Sequence, residues 1–250
     1  MTEAPLRCEG LARSFGGVRA VQGVSLALPA GQVTALVGPN GAGKTTLFNL
    51  ITGNLRADAG SVFLRGRPIL GLRPWQVARL GVARSFQDLR LFTHMSVRDN
   101  VLAATERSAW FWQIGGGRRA RLAAAEAALE ATGLTALASA RAVDLAYAER
   151  KFLSMARILA AQADIWLLDE PASGLDLASR LRFGQLLKDA RSRGVAICLI
   201  EHNLDVVMEL SDRIAFLDQG RVLAEGEPQA ILRDPRLAAI YFGERPQEVA

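Results

Sequence analysis

Gly38-Pro39-Asn40-Gly41-Ala42-Gly43-Lys44-Thr45-Thr46 matches the phosphate-loop pattern G-x-x-x-x-G-K-[ST] at every defined position. Glycines let a backbone curl until successive N–H groups point into one concavity, and a helix starting at the end of the loop adds its positive dipole end there. That concavity suits a polyphosphate. Lys44 supplies a mobile cation for the β- and γ-phosphates of a nucleoside triphosphate, and the Thr45 hydroxyl is placed to ligate Mg²⁺. The apolar runs 33–37 before the loop and 46–51 after it predict the strand and the helix that the motif requires.

A second chemical signal lies in Ile165-Trp166-Leu167-Leu168-Asp169-Glu170, an apolar strand that ends in two carboxylates. In α/β folds, ligands bind at the carboxyl ends of the strands, so the pair is placed to divide labour. Asp169 would hold Mg²⁺ through water, and Glu170 would polarise an attacking water as general base. Gln87 follows a predicted strand at 82–86, and His202 follows another at 195–200. Both therefore fall on the same sheet edge. An amide that can touch the metal and an imidazole that can hydrogen-bond the γ-phosphate complete a candidate hydrolysis site.

Positioning these residues takes two kinds of element. The first 87 residues alternate short apolar strands with turns, at 10–15, 18–21, 24–28 and 61–64, which predicts an antiparallel β lobe joined to a nucleotide-binding core. From 96 to 163 the periodicity becomes helical, with an alanine-rich run at 121–131 closed by Gly133, and a helix is predicted at 150–160. This segment reads as an inserted α-helical subdomain within one domain spanning 1–250. Strand–helix alternation then resumes at 165–168, 179–192, 195–200, 204–210 and 214–217, implying a parallel sheet with right-handed crossovers. The expected class is α/β. Gly115-Gly116-Gly117 is the one flexible-looking point.

Composition bounds the partners. At 250 residues the chain can bury a core unaided, and its net charge of +5 comes from arginines that are scattered rather than blocked, so no nucleic-acid partner is expected. Of its 30 basic residues only Lys44, Lys151 and Lys188 are lysines. Cys8 and Cys198 lie in apolar strand-like runs far apart, as buried thiols do in a reducing compartment. No apolar leader follows Met1, and runs such as 195–200 are far short of the ~20 residues a membrane span needs. The expected location is cytoplasmic, with any membrane role exerted through a partner.

Taken in order, the phosphate loop, Gln87, the helical insert, Leu145-Ala146-Tyr147-Ala148-Glu149, Asp169-Glu170, Ala172-Ser173-Gly174-Leu175-Asp176 and His202 resemble the ATP-binding subunits of ABC transporters over essentially the whole chain. Phe15-Gly16-Gly17, Arg84-Ser85-Phe86-Gln87, Ile200-Glu201-His202-Asn203-Leu204 and Ile240-Tyr241-Phe242-Gly243-Glu244 look like one of the two ATPases of branched-chain amino acid importers. The resemblance implies a phosphate-loop NTPase core with an antiparallel β lobe and a helical insert, using ATP and Mg²⁺. Phe15 would stack on adenine. A second ATPase subunit, identical or different, would close head to tail, so that each ATP lies between one phosphate loop and the other chain's signature at 145–149. Leu175-Asp176 would meet that second subunit. Integral membrane permease subunits would hold the pair at the inner face of the cell membrane, and a periplasmic or extracellular solute-binding protein would act indirectly. The alternatives are a soluble non-transport ABC ATPase and a catalytically weakened nucleotide-binding subunit.

The departure from the family pattern is in the signature, Leu-Ser-Gly-Gly-Gln elsewhere. Ala146 replaces the serine whose hydroxyl would meet the γ-phosphate, and Ala148 replaces the second glycine, where a Cβ interferes unless φ stays negative at the helix start. Two further segments stay open. The apolar residues among 88–95 would receive a permease helix or form a buried loop. Trp110-Phe111-Trp112, followed by Arg118-Arg119, would face a membrane-side partner or pack on the helical insert.

Overall fold

The computed structural model describes residues 4–106 and 116–242. Trp110-Phe111-Trp112, Gly115 and the terminal Gly243-Glu244 lie outside that range. The described chain opens with two long strands, β1 (Leu6–Phe15) and β2 (Val18–Leu28), then β3 (Val33–Val37), the phosphate loop and α1 (Lys44–Ile51). β4 (Ala59–Leu64) and the two-residue β5 (Arg67–Pro68) complete an antiparallel sheet of order β2-β1-β4-β5. α2 (Pro74–Arg79) leads into β6 (Val82–Arg84), and α3 (Val97–Ala104), α4 (Gly116–Ala131) and α5 (Tyr147–Ala160) follow before β7 (Ile165–Asp169). The rest comprises α6 (Leu177–Ser192), β8 (Ala196–Ile200), α7 (Leu204–Leu210), β9 (Arg213–Asp218), β10 (Arg221–Gly226), α8 (Pro228–Leu232) and α9 (Pro235–Phe242). The second sheet runs β10-β9-β3-β8-β7-β6, parallel throughout except at β10.

Strand periodicity divides the core. Side chains alternate across a sheet, and in β7 Trp166 and Leu168 join one hydrophobic cluster while Ile165 and Leu167 join the other. β8 splits the same way, Ile197 and Leu199 against Cys198 and Ile200. The first cluster carries the inward faces of α3, α4, α5 and α6, including Val101, Leu129, Leu153 and Leu187. The second is shared by α1 and the antiparallel sheet, with Phe48, Leu11 and Leu28 fully buried. Both faces of the parallel sheet are therefore covered, which is why its strands are continuous apolar runs.

Several boundaries differ from the sequence-based expectation. β1 starts at Leu6, ahead of Gly10, and β2 runs unbroken through Gly23. Leu11 pairs with Val24 and Ala12 with Gln22, which leaves Gly23, at φ 70°, as the extra residue of a β-bulge. A glycine there bends the strand without ending it. β6 stops at Arg84 instead of residue 86. β10 alternates exposed and half-buried positions with none fully buried, its apolar residues Val222, Leu223 and Ala224 being consecutive, and α2 is six residues long, so neither carries a readable period.

Cys8 and Cys198 are both free and buried, and burial pushes the Cys8 thiol up to about 12 and the Cys198 thiol upward as well. The folded values exceed the unfolded one, so the unfolded chain releases these protons first. Stability should hold below pH 9.0 and fall between pH 9.0 and about 12, by up to ~1.4 kcal/mol per pH unit for each thiol. Urea titrations across that range test the slope. A thiol reagent at pH 8 should label neither cysteine until the chain is unfolded.

Candidate nucleotide-hydrolysis site

Register brings the candidate residues to one edge. Leu36 of β3 lies opposite Ile200 of β8, and Ile200 lies opposite Asp169 of β7, so the loops leaving these three strands emerge side by side. On the far side Arg84 of β6 pairs with Leu167, and the Ser85 N–H donates to the Leu167 carbonyl at 2.9 Å, which carries the chain toward Gln87.

The phosphate loop is held by contacts that only glycine permits. Gly38 has φ 152°, and a Cβ there would lie 1.8 Å from the Leu217 carbonyl oxygen; at Gly43, φ 104°, it would lie 2.3 Å from the Ala20 carbonyl oxygen. Pro39, Asn40, Gly41 and Ala42 make the turn between them, with the Ala42 N–H donating to Pro39 at 3.2 Å and its carbonyl accepting from Gly220 at 2.8 Å. Gly43 caps α1 with no side-chain acceptor, so the N–H groups of the first turn remain for an anion. Lys44 is 6% exposed, and its Nζ donates to the Gly38 and Pro39 carbonyls at 2.7 and 2.9 Å. Burial lowers its pKa, against the pull of Glu170 and Asp169. Thr45 and Thr46 follow on the first turn, Thr45 exposed.

Across the concavity, the Thr45 hydroxyl approaches Asp169 Oδ2 at 3.5 Å. Asp169 is 3% exposed, and burial raises its pKa, opposed by the Arg84 guanidinium 3.9 Å away. Glu170 receives two neighbours: His202 Nε2 lies 2.9 Å from its Oε1, and Gln87 Nε2 lies 3.4 Å from its Oε2. Glu170 itself sits at φ 47°, the left-handed region that residues with a Cβ rarely occupy and that clusters at functional sites. The structure thus brings together Lys44, Thr45, Gln87, Asp169, Glu170 and His202.

Phe15, at the end of β1, is 42% exposed with the Arg13 guanidinium 4.9 Å from its ring centre. Residues 145–149 lie at the start of α5, and none of their hydrogen bonds among the described residues reaches the phosphate loop. Leu145 is buried, Ala146 is the N-cap, and its N–H donates to Glu149 at 2.7 Å. Tyr147 is 54% exposed, its hydroxyl donating to the Ser173 carbonyl at 3.3 Å. Ala148 has a negative φ and packs against the core, so its Cβ brings no backbone strain. Leu175 is buried; Asp176 is exposed, and its carboxylate accepts the Ser179 N–H as the cap of α6.

Two supporting residues were not singled out by sequence reasoning. Arg84 is clamped by Asn49 at 2.7 Å and Thr52 at 3.1 Å, beneath the Phe86 ring at 4.6 Å, and burial lowers its pKa to about 10. Glu201, 3% exposed, accepts the Ala172 N–H at 2.9 Å and so holds the turn after Glu170. A charged residue beside an apolar strand is the signal for both, but strand ends carry such residues routinely.

The sequence profile of the ABC transporter family matches residues 21–173. The high-affinity branched-chain amino acid transport ATP-binding protein LivG of Escherichia coli (strain K12) is 39% identical, covering 98% of this chain and all of that protein. The corresponding protein BraF of Pseudomonas aeruginosa is also 39% identical with the same coverage. Among solved structures, the ADP conformation of MJ1267, an ATP-binding cassette of an ABC transporter, superposes with a TM-score of 0.85 at 29% identity, covering 97% of this chain and all of that one.

The geometry at the start of α5 separates the two alanines. Ala146→Ser supplies the missing cap and should stabilise the fold by ~1 kcal/mol, whereas Ala148→Gly should cost ~1 kcal/mol, because a helical Cβ is being removed rather than a clash. Urea unfolding of both variants checks the signs; a stabilising Ala148→Gly would reveal strain at that position.

Proposed function

The chain belongs to the ABC transporter family, and we propose that it is the ATP-hydrolysing subunit of an importer for branched-chain amino acids or a related amide, urea or organic acid. The observation that carries the reading is the Glu170 carboxylate, held between His202 and Gln87 on the same sheet edge as the phosphate loop. ATP lies with its phosphates on the loop from Gly38 to Thr46, and Lys44 exchanges its loop carbonyls for the β- and γ-phosphates. Glu170 takes a proton from the water that attacks the γ-phosphorus, the bond to the bridging oxygen breaks, and ADP and phosphate leave. His202 hydrogen-bonds the γ-phosphate and Phe15 stacks on adenine.

Thr45, Gln87 and Asp169 offer only oxygen donors, the chemistry that a hard cation prefers. No three His, Cys, Asp or Glu side chains cluster to hold an ion alone among the described residues, and Thr45, Gln87 and Asp169 would hold Mg²⁺ together with a bound nucleotide. When bound, Mg²⁺ neutralises charge that develops on those phosphates.

A second ATPase subunit, the same or different, closes head to tail against 145–149 and Asp176, and the exposed Tyr147, Leu177 and Leu181 give that face apolar surface to bury. Permease subunits seat at a cavity of about 490 Å³ lined by Trp75, Phe86, Leu89, Arg90 and Arg157. No described helix is long and apolar enough to cross a membrane, so attachment to the inner face runs through the permease. A solute-binding protein outside the membrane acts only through that permease.

Glu170→Gln should lower ATP turnover by ~10²-fold or more and trap a closed dimer with ATP, and Lys44→Ala should abolish nucleotide binding with the fold intact. Phosphate release and size-exclusion chromatography with ATP measure both; near-normal turnover in Glu170→Gln removes the base role. In proteoliposomes with its cognate permease, labelled leucine should accumulate with ATP and cease to do so with Glu170→Gln. Transport of urea or an amide instead would reassign the solute and leave the ATPase role standing.

A further inference from the structure

Lys151 lies one turn into α5, 7% exposed, and its Nζ donates to the Glu170 main-chain carbonyl at 2.7 Å. Lysine is seldom buried this far without a partner, and here the partner is the peptide of the candidate base. On the other side of the same residue, the Glu170 N–H donates to the Ile200 carbonyl at 2.9 Å. Both backbone groups of Glu170 are thus held from outside its own loop, by β8 and by α5, and the carbonyl also accepts the Ser173 N–H at 3.4 Å from within the loop, a longer bond than the one from Lys151. A left-handed φ at a residue with a Cβ persists only where its surroundings over-determine it, and these two bonds do so.

We propose that Lys151 is a positioning residue for hydrolysis: its ammonium holds the Glu170 carbonyl, locks the left-handed peptide and so aims the carboxylate at the attacking water. This rests on reading Glu170 as the base. It adds a link between sites. α5 begins at the signature, with the Tyr147 ring centre 5.7 Å from Lys151 Nζ, so one hydrogen bond joins the helix proposed to meet the second subunit's nucleotide to the main-chain carbonyl of this chain's own Glu170.

Lys151→Met keeps the stem and removes the donor, and Lys151→Arg keeps a cation. Lys151→Met should lower kcat about ten- to hundredfold, the loss of one charge-assisted hydrogen bond, with ATP affinity within about threefold of the parent. Lys151→Arg should regain at least about fivefold of that loss. Placed on Glu170→Gln and followed by release of labelled phosphate in a single turnover, Lys151→Met should add less than about twofold, because it acts through a carboxylate already removed. A kcat for Lys151→Met within twofold of the parent overturns the proposal, as do losses that multiply in the double variant or an affinity that falls as far as kcat. If Lys151→Met does not fold by circular dichroism, Lys151→Ala, which also removes the donor, is read by the same criteria. Normal turnover in Glu170→Gln alone would instead overturn the base assignment on which the proposal stands.

Discussion

Parallel pairing of β3, β8 and β7 is the constraint on which the site depends. Because the chain enters each of these strands at the same end, the phosphate loop, the acid pair and the histidine all leave at the other, and the matched positions Leu36, Ile200 and Asp169 bring those exits level. A register slip of one residue would turn every core side chain of a strand toward the opposite cluster. The two clusters, drawn from alternate positions of β7 and β8, therefore fix the register, and the register places the chemistry. The apolar interior and the hydrolytic edge are two consequences of one hydrogen-bond ladder.

That arrangement sets charges against burial. Asp169 and Lys44 are almost wholly enclosed, and each is pushed toward its neutral form by burial and drawn back by opposite charge. Arg84 serves as the fixed counter-charge, itself held by Asn49 and Thr52 and covered by the Phe48 and Phe86 rings. Lys44 meanwhile occupies its own loop carbonyls. A polyphosphate offers the lysine a stronger acceptor than two neutral carbonyls, so the energetic asymmetry favours exchange when nucleotide arrives.

How much of this was legible depended on the range of the signal. Local patterns, such as the phosphate loop or the apolar run ending in Asp169-Glu170, were readable because motif and secondary-structure period coincide within a dozen residues. β2 was split at Gly23 because a glycine inside a strand reads as a turn until its partner strand shows a bulge. Leu175, which the resemblance places with Asp176 against a second subunit, has its side chain buried in its own chain, a detail that a loop position with no period does not reveal. Arg84 and Glu201 stood in stretches that resemble the family but received no role of their own, because their work lies in contacts with residues distant along the chain, respectively Asn49 and Ala172.

The lysines show the same limit from the other direction. In a chain that uses arginine at all but three of its 30 basic positions, two of those three lysines, Lys44 and Lys151, are buried beside the candidate site and bond to main-chain carbonyls. An ammonium is a compact charge that one or two main-chain carbonyls can hold, whereas a guanidinium spreads its donors over a plane. Composition shows that lysine is scarce here but does not set Lys44 and Lys151 apart from Lys188. The geometry shows what the two share: each lysine donates to main-chain carbonyls at a backbone bend, at Gly38 and Pro39 in one case and at the left-handed Glu170 in the other. Glu170 then differs from an ordinary strand-end acid in having its peptide held by α5 and β8 and its carboxylate met by His202 and Gln87, four contacts from elements distant along the chain.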